Sequence, residues 1–188
     1  MWRLLFLFSI LPIAAALIAR WFFGMRVLAE DGARPCRCDL ETWMPLPDDK
    51  AVIHRAEESA AEFGRQLRLK ALAEWRERDP QAAAARENSR RFGTAVPPLS
   101  GMIAVMAGIV AKIPIMGAIA LVLAATALAA VLGVLSMAPE LAAITRAAKK
   151  LRESKSFPRR DDEDAIIRCA VAHAWKETLP PILGLLQR

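Results

Sequence analysis

The chain has 188 residues, and its 26 Lys and Arg against 20 Asp and Glu leave a formal net charge of +6. A nucleic-acid-binding surface interleaves basic with aromatic residues, whereas acidic residues accompany the basic ones here and Tyr is absent. This composition excludes nucleic acid as a partner. The positive excess lies beside long apolar segments, where anionic lipid head groups attract basic side chains.

The chain opens with an apolar segment, residues 4–19, that is interrupted only by Ser9. Aromatic residues follow it, as is typical of a helix that ends at a membrane–water interface. They are Trp21, Phe22 and Phe23. A cleaved signal peptide is the alternative, but no pair of small residues follows the apolar run where a peptidase would cut. The sequence therefore predicts an uncleaved N-terminal transmembrane anchor over residues 1–24.

A polar segment, residues 25–94, comes next. Gly and Pro residues predict irregular structure over residues 25–47. Asp48 or Asp49 then caps a helix that we predict over residues 50–78. Apolar residues recur every three or four positions along this helix: Ile53, Ala56, Ala60, Phe63, Leu67, Ala71 and Trp75. This stripe would bind either the chain's own C-terminal helices or another protein.

The pair Asp79 and Pro80 predicts that one helix ends and another begins, because Asp caps helices and Pro suits a first helical turn. The second helix is predicted to be a short spacer that reaches Arg91. Phe92 and the residues after it then lead through Pro97 and Pro98 into the membrane.

Residues 95–138 form a second apolar stretch, which contains a single charge, Lys112. A bilayer core about 30 Å thick is crossed by about 20 helical residues, so this stretch is long enough for two crossings. Lys112 and Pro114 predict a tight turn near its middle. The sequence therefore predicts a transmembrane helical hairpin, with spans over residues 96–111 and 115–138, and a buried hairpin of a soluble protein is the alternative.

Small residues recur along both spans and allow helix backbones to approach closely in lipid. They include Gly101, Ala104, Gly108, Gly117, Ala124 and Gly133. We expect the hairpin to pack on itself, and a specific partner subunit is the alternative.

The last segment, residues 139–188, is polar again. An apolar stripe continues the last span as a helix that frays by Ser156. A second helix is predicted over residues 165–178, with acidic residues at its start, where the helix dipole favours them. An apolar tail at residues 182–186 is too short to cross a bilayer and is expected to lie on it or to pack on the hairpin.

No strand pattern of useful length is found, and the predicted fold class is all-α. The predicted protein is integral to the membrane: an N-terminal transmembrane helix, a transmembrane helical hairpin and amphipathic helices outside the bilayer. Basic residues follow the first span and the last span: Arg20, Arg26, Arg34, Arg37, Arg146, Lys149, Lys150 and Arg152. Cytoplasmic flanks are the basic ones, so both segments, 25–94 and 139–188, are expected in the cytoplasm.

Two stretches resemble a known family. The segment 92–99, F-G-T-A-V-P-P-L, is similar to the entry into the hairpin of the bacterial membrane neutral zinc metallopeptidases. The segment 139–147, P-E-L-A-A-I-T-R-A, is similar to the exit from that hairpin. The order of elements matches along most of the chain. The resemblance implies a multi-pass protein of the bacterial cytoplasmic (inner) membrane.

The chain departs from this family at the catalytic motif. The family binds zinc through H-E-x-x-H, but the corresponding helix, residues 66–75, contains no His. Glu140 falls where the family places a third metal ligand, and a carboxylate alone does not hold catalytic zinc. We therefore expect a pseudoenzyme without a catalytic residue, which serves as an accessory or scaffold protein for a membrane or cytoplasmic partner.

A divergent metal-dependent membrane hydrolase is the alternative. Cys36 and Cys38 offer two thiolates, and Cys169 and His173 lie one helical turn apart. Together they would form a Cys3His zinc site in a reducing cytoplasm. Against it, C-x-C is less usual than C-x-x-C, and Cys169 lies among apolar residues as a small buried hydrophobe would. Apart from this zinc ion, no cofactor is expected.

Overall fold

The computed structural model describes residues 2–40, 42–43, 55–111 and 113–178, and most of them are helical. The α-helices are α1 (Trp2–Arg20), α2 (Arg26–Glu30), α3 (Ala60–Arg78), α4 (Pro80–Val110), α5 (Ile115–Leu135), α6 (Ala138–Ser154) and α7 (Arg160–Lys176). A π-helix, Trp21–Met25, joins α1 to α2. The prediction of a mostly helical fold is confirmed.

Three helical stretches among the described residues are long and apolar enough to cross a membrane. They are Leu4–Glu30, Pro80–Val110 and Ile115–Ser154. Each overlaps one of the spans predicted from the sequence. Pro114 is the N-cap of α5, which begins at the predicted residue, while Lys112 of the predicted turn lies outside the described residues.

The first helical stretch is longer than predicted. Helical structure continues from α1 through the π-helix and α2 to Glu30, so the prediction of irregular structure from Met25 onward is wrong for its first six residues. The Arg26 guanidinium pairs with Glu30 one turn later at 2.8 Å and lies over the Phe22 ring, 5.3 Å from its centroid. These contacts between successive turns support the helix beyond the apolar run.

Two short strands are the exception to the predicted all-α fold. β1 (Pro35–Arg37) pairs antiparallel with β2 (Glu57–Ser59), and Cys36 lies opposite Glu58. β2 also corrects the start of the long helix predicted over residues 50–78. Helix α3 begins at Ala60, and the hydroxyl of its N-cap, Ser59, accepts a hydrogen bond from the Glu62 N–H. The predicted caps, Asp48 and Asp49, lie outside the described residues.

Helix α4 is continuous, whereas the sequence predicted a short spacer followed by a separate span. Asp79 and Pro80 act as predicted, since the Asp79 carboxylate accepts a hydrogen bond from the Ala82 N–H at 3.0 Å. The helix then continues through Pro97 and Pro98. Each proline lacks the N–H that would bond the carbonyl four residues earlier, and such prolines are tolerated in apolar helices. The Ser100 hydroxyl donates to the Pro97 carbonyl at 2.7 Å.

The chain divides into two compact units. Unit 1 comprises Met1–Arg20, Ala84–Met137 and Glu177–Arg188. Its helix α5 packs mainly on α1, where Ile13 and Ala16 meet Ala127 and Ala130. The sequence predicted instead that the hairpin packs on itself. The residues of α5 that meet α1, Ala127 and Ala130, are small and permit close packing.

Unit 2 comprises Trp21–Ala83 and Ala138–Lys176. Its helix α3 packs on α7 and α6, so the predicted apolar stripe from Ala60 to Trp75 binds the chain's own C-terminal helices. Of the two earlier stripe residues, Ala56 precedes α3 and Ile53 lies outside the described residues. Three aromatic rings join the elements in edge-to-face contacts, with centroids 5.2–5.4 Å apart. They belong to Trp43, Phe63 and Phe157. This core holds the residues of the candidate site.

A substitution at Gly64 tests how closely α3 packs on α7. A Cβ atom at this position would lie 2.6 Å from the Cys169 Cβ and 2.8 Å from the Ala170 backbone nitrogen. We expect Gly64→Ala to destabilise the protein by about 1–3 kcal/mol, because the backbone of α7 would have to move. Thermal unfolding of the purified full chain in detergent measures this loss.

The matched control is Gly101→Ala, because a Cβ at Gly101 meets no atom within 4 Å. Replacing a helical Gly by Ala in open space is expected to leave stability unchanged or to raise it by up to about 1 kcal/mol. Equal unfolding temperatures for the Gly64→Ala variant and the control would contradict the close packing of α3 on α7.

Candidate functional site

The core of unit 2 contains a buried ion pair. The Arg68 guanidinium of α3 donates from Nε to the Glu140 Oε1 of α6 at 2.8 Å, and its Nη2 lies 2.8 Å from the same oxygen. The two side chains are only 4% and 1% exposed. Glu140 also lies in the first turn of α6, where the helix dipole favours a carboxylate. Glu140 is thus paired with the Arg68 guanidinium.

Sequence reasoning singled out Glu140 but missed its partner. Arg68 occupies a buried face of α3 together with Gly64, Leu67 and Ala71. A basic residue at a core position of an amphipathic helix is the signal that could have found it, since charges are almost never fully buried unless they are paired. The identity of the partner, 72 positions away, depends on the fold.

The three cysteines lie in the hydrophobic core of unit 2. Cys36 belongs to β1, Cys38 follows that strand and Cys169 lies on α7, and all three are free and buried. The Cys36 thiol donates to the Arg34 carbonyl at 3.7 Å, and the Cys38 thiol donates to the Arg55 carbonyl at 3.8 Å. The structure thus brings the three predicted thiol ligands into one core cluster.

Burial keeps these thiols protonated. Desolvation raises the pKa of Cys36 to about 11 and the pKa of Cys169 to about 12, and it also raises the pKa of Cys38. The thiolate, rather than the thiol, is the nucleophile and the metal ligand. At neutral pH the three side chains therefore resemble small core hydrophobes more than reactive or metal-binding groups.

His173, the fourth predicted ligand, lies one turn after Cys169 on α7 and is half-buried. Its Nε2 atom lies 3.0 Å from the Ala61 carbonyl of α3. Among residues 2–40, 42–43, 55–111 and 113–178, no three His, Cys, Asp or Glu side chains are grouped so that they could hold a metal ion. Protonated thiols and a ring nitrogen at a backbone carbonyl fit a zinc ion poorly, and the Cys3His site stays a prediction.

A second buried guanidinium lies in unit 1. Arg86 of α4 donates from Nη1 to the Gly133 carbonyl at 3.1 Å and to the Ser136 hydroxyl at 2.7 Å. Its Nη2 donates to the Thr178 hydroxyl at 3.5 Å. These contacts satisfy polar groups at the carboxyl end of α5, which the helix itself leaves without partners.

Close to these Arg86 hydrogen bonds, the backbone of Thr178 closely approaches α5 at Gly133. A Cβ at Gly133 would lie 2.6 Å from the Thr178 carbonyl oxygen, so only Gly fits there. The segment around Arg86 was predicted to be a spacer, and this contact was not predicted.

Comparison with known proteins gives no relative. No family model matches the chain, and neither a curated protein nor a solved structure does. The likeness to the zinc metallopeptidases therefore stays a prediction from the two short sequence stretches.

The buried ion pair can be tested by replacing one or both partners. Breaking a buried pair leaves an uncompensated charge, so we expect Arg68→Met alone to cost about 3–5 kcal/mol of unfolding free energy. The double variant Arg68→Met/Glu140→Leu should recover much of that loss, because apolar residues of similar size fill the same space. Denaturant unfolding of the purified chain measures both values.

The control breaks an exposed ion pair between the same two helices. Lys150 of α6 lies 2.6 Å from the Glu74 carboxylate of α3, and the two side chains are 64% and 37% exposed. Lys150→Met is expected to cost less than about 1 kcal/mol. If Arg68→Met costs no more than this control, the buried pair does not organise the core.

Proposed function

We propose that this chain is a multi-pass protein of the bacterial cytoplasmic membrane and that α1, α4 and α5 cross the bilayer. Large apolar side chains on these helices are exposed on the surface of the chain, and lipid would cover them. Phe8 is 76% exposed, Val110 74% and Ile115 79%. A water-soluble protein rarely carries so much apolar surface.

Charge supports a cytoplasmic location for unit 2. Basic residues follow the first apolar segment and the last one, as the positive-inside rule describes. Unit 2 is also assembled from two parts of the chain, Trp21–Ala83 and Ala138–Lys176, which must share one side of the bilayer. Two crossings, by α4 and α5, satisfy this requirement.

We infer that the chain is a non-catalytic accessory or scaffold protein. The observation that carries this proposal is the Arg68 guanidinium bonded to the Glu140 carboxylate. The charge of this buried carboxylate is compensated by the Arg68 guanidinium, which a metal ion would have to displace. The resemblance to the metallopeptidases places a zinc ligand at this position, so the pairing supports a relative without peptidase chemistry.

The location of a partner is constrained by the packing. The apolar face of α3 is covered by α6 and α7, so it does not bind another protein while unit 2 is folded. We expect a partner to contact the outer, charged faces of unit 2. On the outer face of α6, Lys149 and Glu153 have side chains that are 81% and 66% exposed.

Metal analysis and crosslinking test this function together. We expect purified wild-type protein to hold well under one zinc per chain, and Cys169→Ala to leave that content unchanged. We also expect a photoreactive residue at Lys149 or Glu153 to give a discrete protein adduct in native membranes. The same residue at Phe8 should give only lipid adducts.

The alternative, a divergent metal-dependent hydrolase, predicts the opposite metal result. One zinc per chain that is lost on Cys169→Ala or on His173→Ala, but kept in the exposed control Lys149→Ala, would contradict the scaffold proposal. The absence of any protein adduct at both α6 positions would contradict it as well.

A further inference from the structure

Unit 2 contains a cavity of about 250 Å³ between α3 and α6. Most of its wall is apolar and consists of Trp43, Leu67, Ala147 and Leu151. These side chains are at most 8% exposed, so the cavity reaches into the core. This volume is slightly below the range of about 300–1,000 Å³ that is typical of ligand sites. The cavity is therefore suited to a small polar head and the first part of an alkyl chain.

Three charged side chains also line the cavity. The Lys150 ammonium lies 2.6 Å from the Glu74 carboxylate. Lys70 lies one helical turn before Glu74 on α3 and forms no ion pair with any residue that the structure describes. Two ammonium groups and one carboxylate leave a net charge of +1, which a single negative charge would neutralise.

The environment of Lys70 agrees with this charge count. Desolvation by burial lowers the pKa of its ammonium, and the repulsion from Lys150 adds to the effect while Glu74 opposes it. A cation that is partly removed from water is stabilised by an anionic hydrogen-bond acceptor. The polar end of the cavity is therefore suited to an anion.

We propose that this cavity binds a single-chain fatty acid, with its carboxylate between Lys70 and Lys150 and the start of its chain against Trp43 and Leu151. A carboxylate carries the single negative charge that the site lacks. A phosphate monoester carries about 1.5–2 negative charges at neutral pH and exceeds it. The volume admits the start of one alkyl chain beside the polar head and leaves no room for a second. This ligand site is additional to the scaffold role and does not depend on it.

A photoreactive fatty acid with a diazirine in its chain tests the site. The full chain is placed in nanodiscs of zwitterionic phosphatidylcholine, and the adducts are mapped by mass spectrometry while the probe is titrated. We expect saturable adducts on α3 and α6. Lys70→Gln should weaken apparent binding about tenfold, because one charge-assisted hydrogen bond is lost, and Lys70→Arg should retain most of it.

Lys149→Gln is the matched control, since Lys149 adjoins Lys150 in sequence but does not line the cavity. It should leave the titration unchanged. Competition on the wild-type protein keeps the test independent of variant folding. The unlabelled fatty acid should displace the probe, whereas an alcohol or a trimethylammonium compound of equal chain length should not.

Three results would overturn the proposal: competition by the alcohol equal to that by the acid, equal binding to Lys70→Gln and Lys149→Gln, or adducts confined to α1, α4 and α5. The last pattern would indicate simple partitioning into the bilayer. Each result leaves the zinc and partner measurements unaffected, so failure of the ligand site is distinguishable from failure of the scaffold role.

Discussion

The contact between Arg68 and Glu140 joins two parts of the chain that are 72 residues apart and separated by the apolar stretch of α4 and α5. Neither charge is stable alone in a buried position, because the desolvation of an ion costs several kcal/mol that only a close partner offsets. Helices α3 and α6 must therefore meet, and α7 completes the core against α3. With both charges buried, unit 2 can adopt only a fold in which α3 and α6 are in contact.

The requirement also limits how the chain can thread a bilayer. Segments that fold together must lie on one side of the membrane, so the number of crossings between them is even. The pair α4 and α5 provides this number, and each helix belongs to a stretch long and apolar enough to span. The scaffold role and the ligand cavity both require that unit 2 folds from two segments of the chain. Helices α4 and α5 lie between these segments in the sequence.

Local patterns in the sequence predicted some of the helix boundaries, since periodicity and capping residues act over a few positions. The start of α5 after Pro114 and the junction at Asp79 and Pro80 are examples. Contacts between distant residues could not be predicted in this way. The pairing of Cys36 with Glu58 and the burial of Arg68 against Glu140 depend on the packed tertiary structure. Cys169 is buried in the core, as one of the two interpretations of its sequence context expected, and its role as a metal ligand stays a prediction.

Both parts of unit 2 are expected on one side of the membrane, and thiol labelling measures the side of each. Glu57 and Glu153 have exposed side chains, at 72% and 66%, and belong to the two parts. The native cysteines are buried, so a membrane-impermeant maleimide should report mainly on Glu57→Cys and Glu153→Cys. We expect both positions to be labelled in inside-out vesicles and protected in intact cells. Labelling of the two positions from opposite sides would contradict the account.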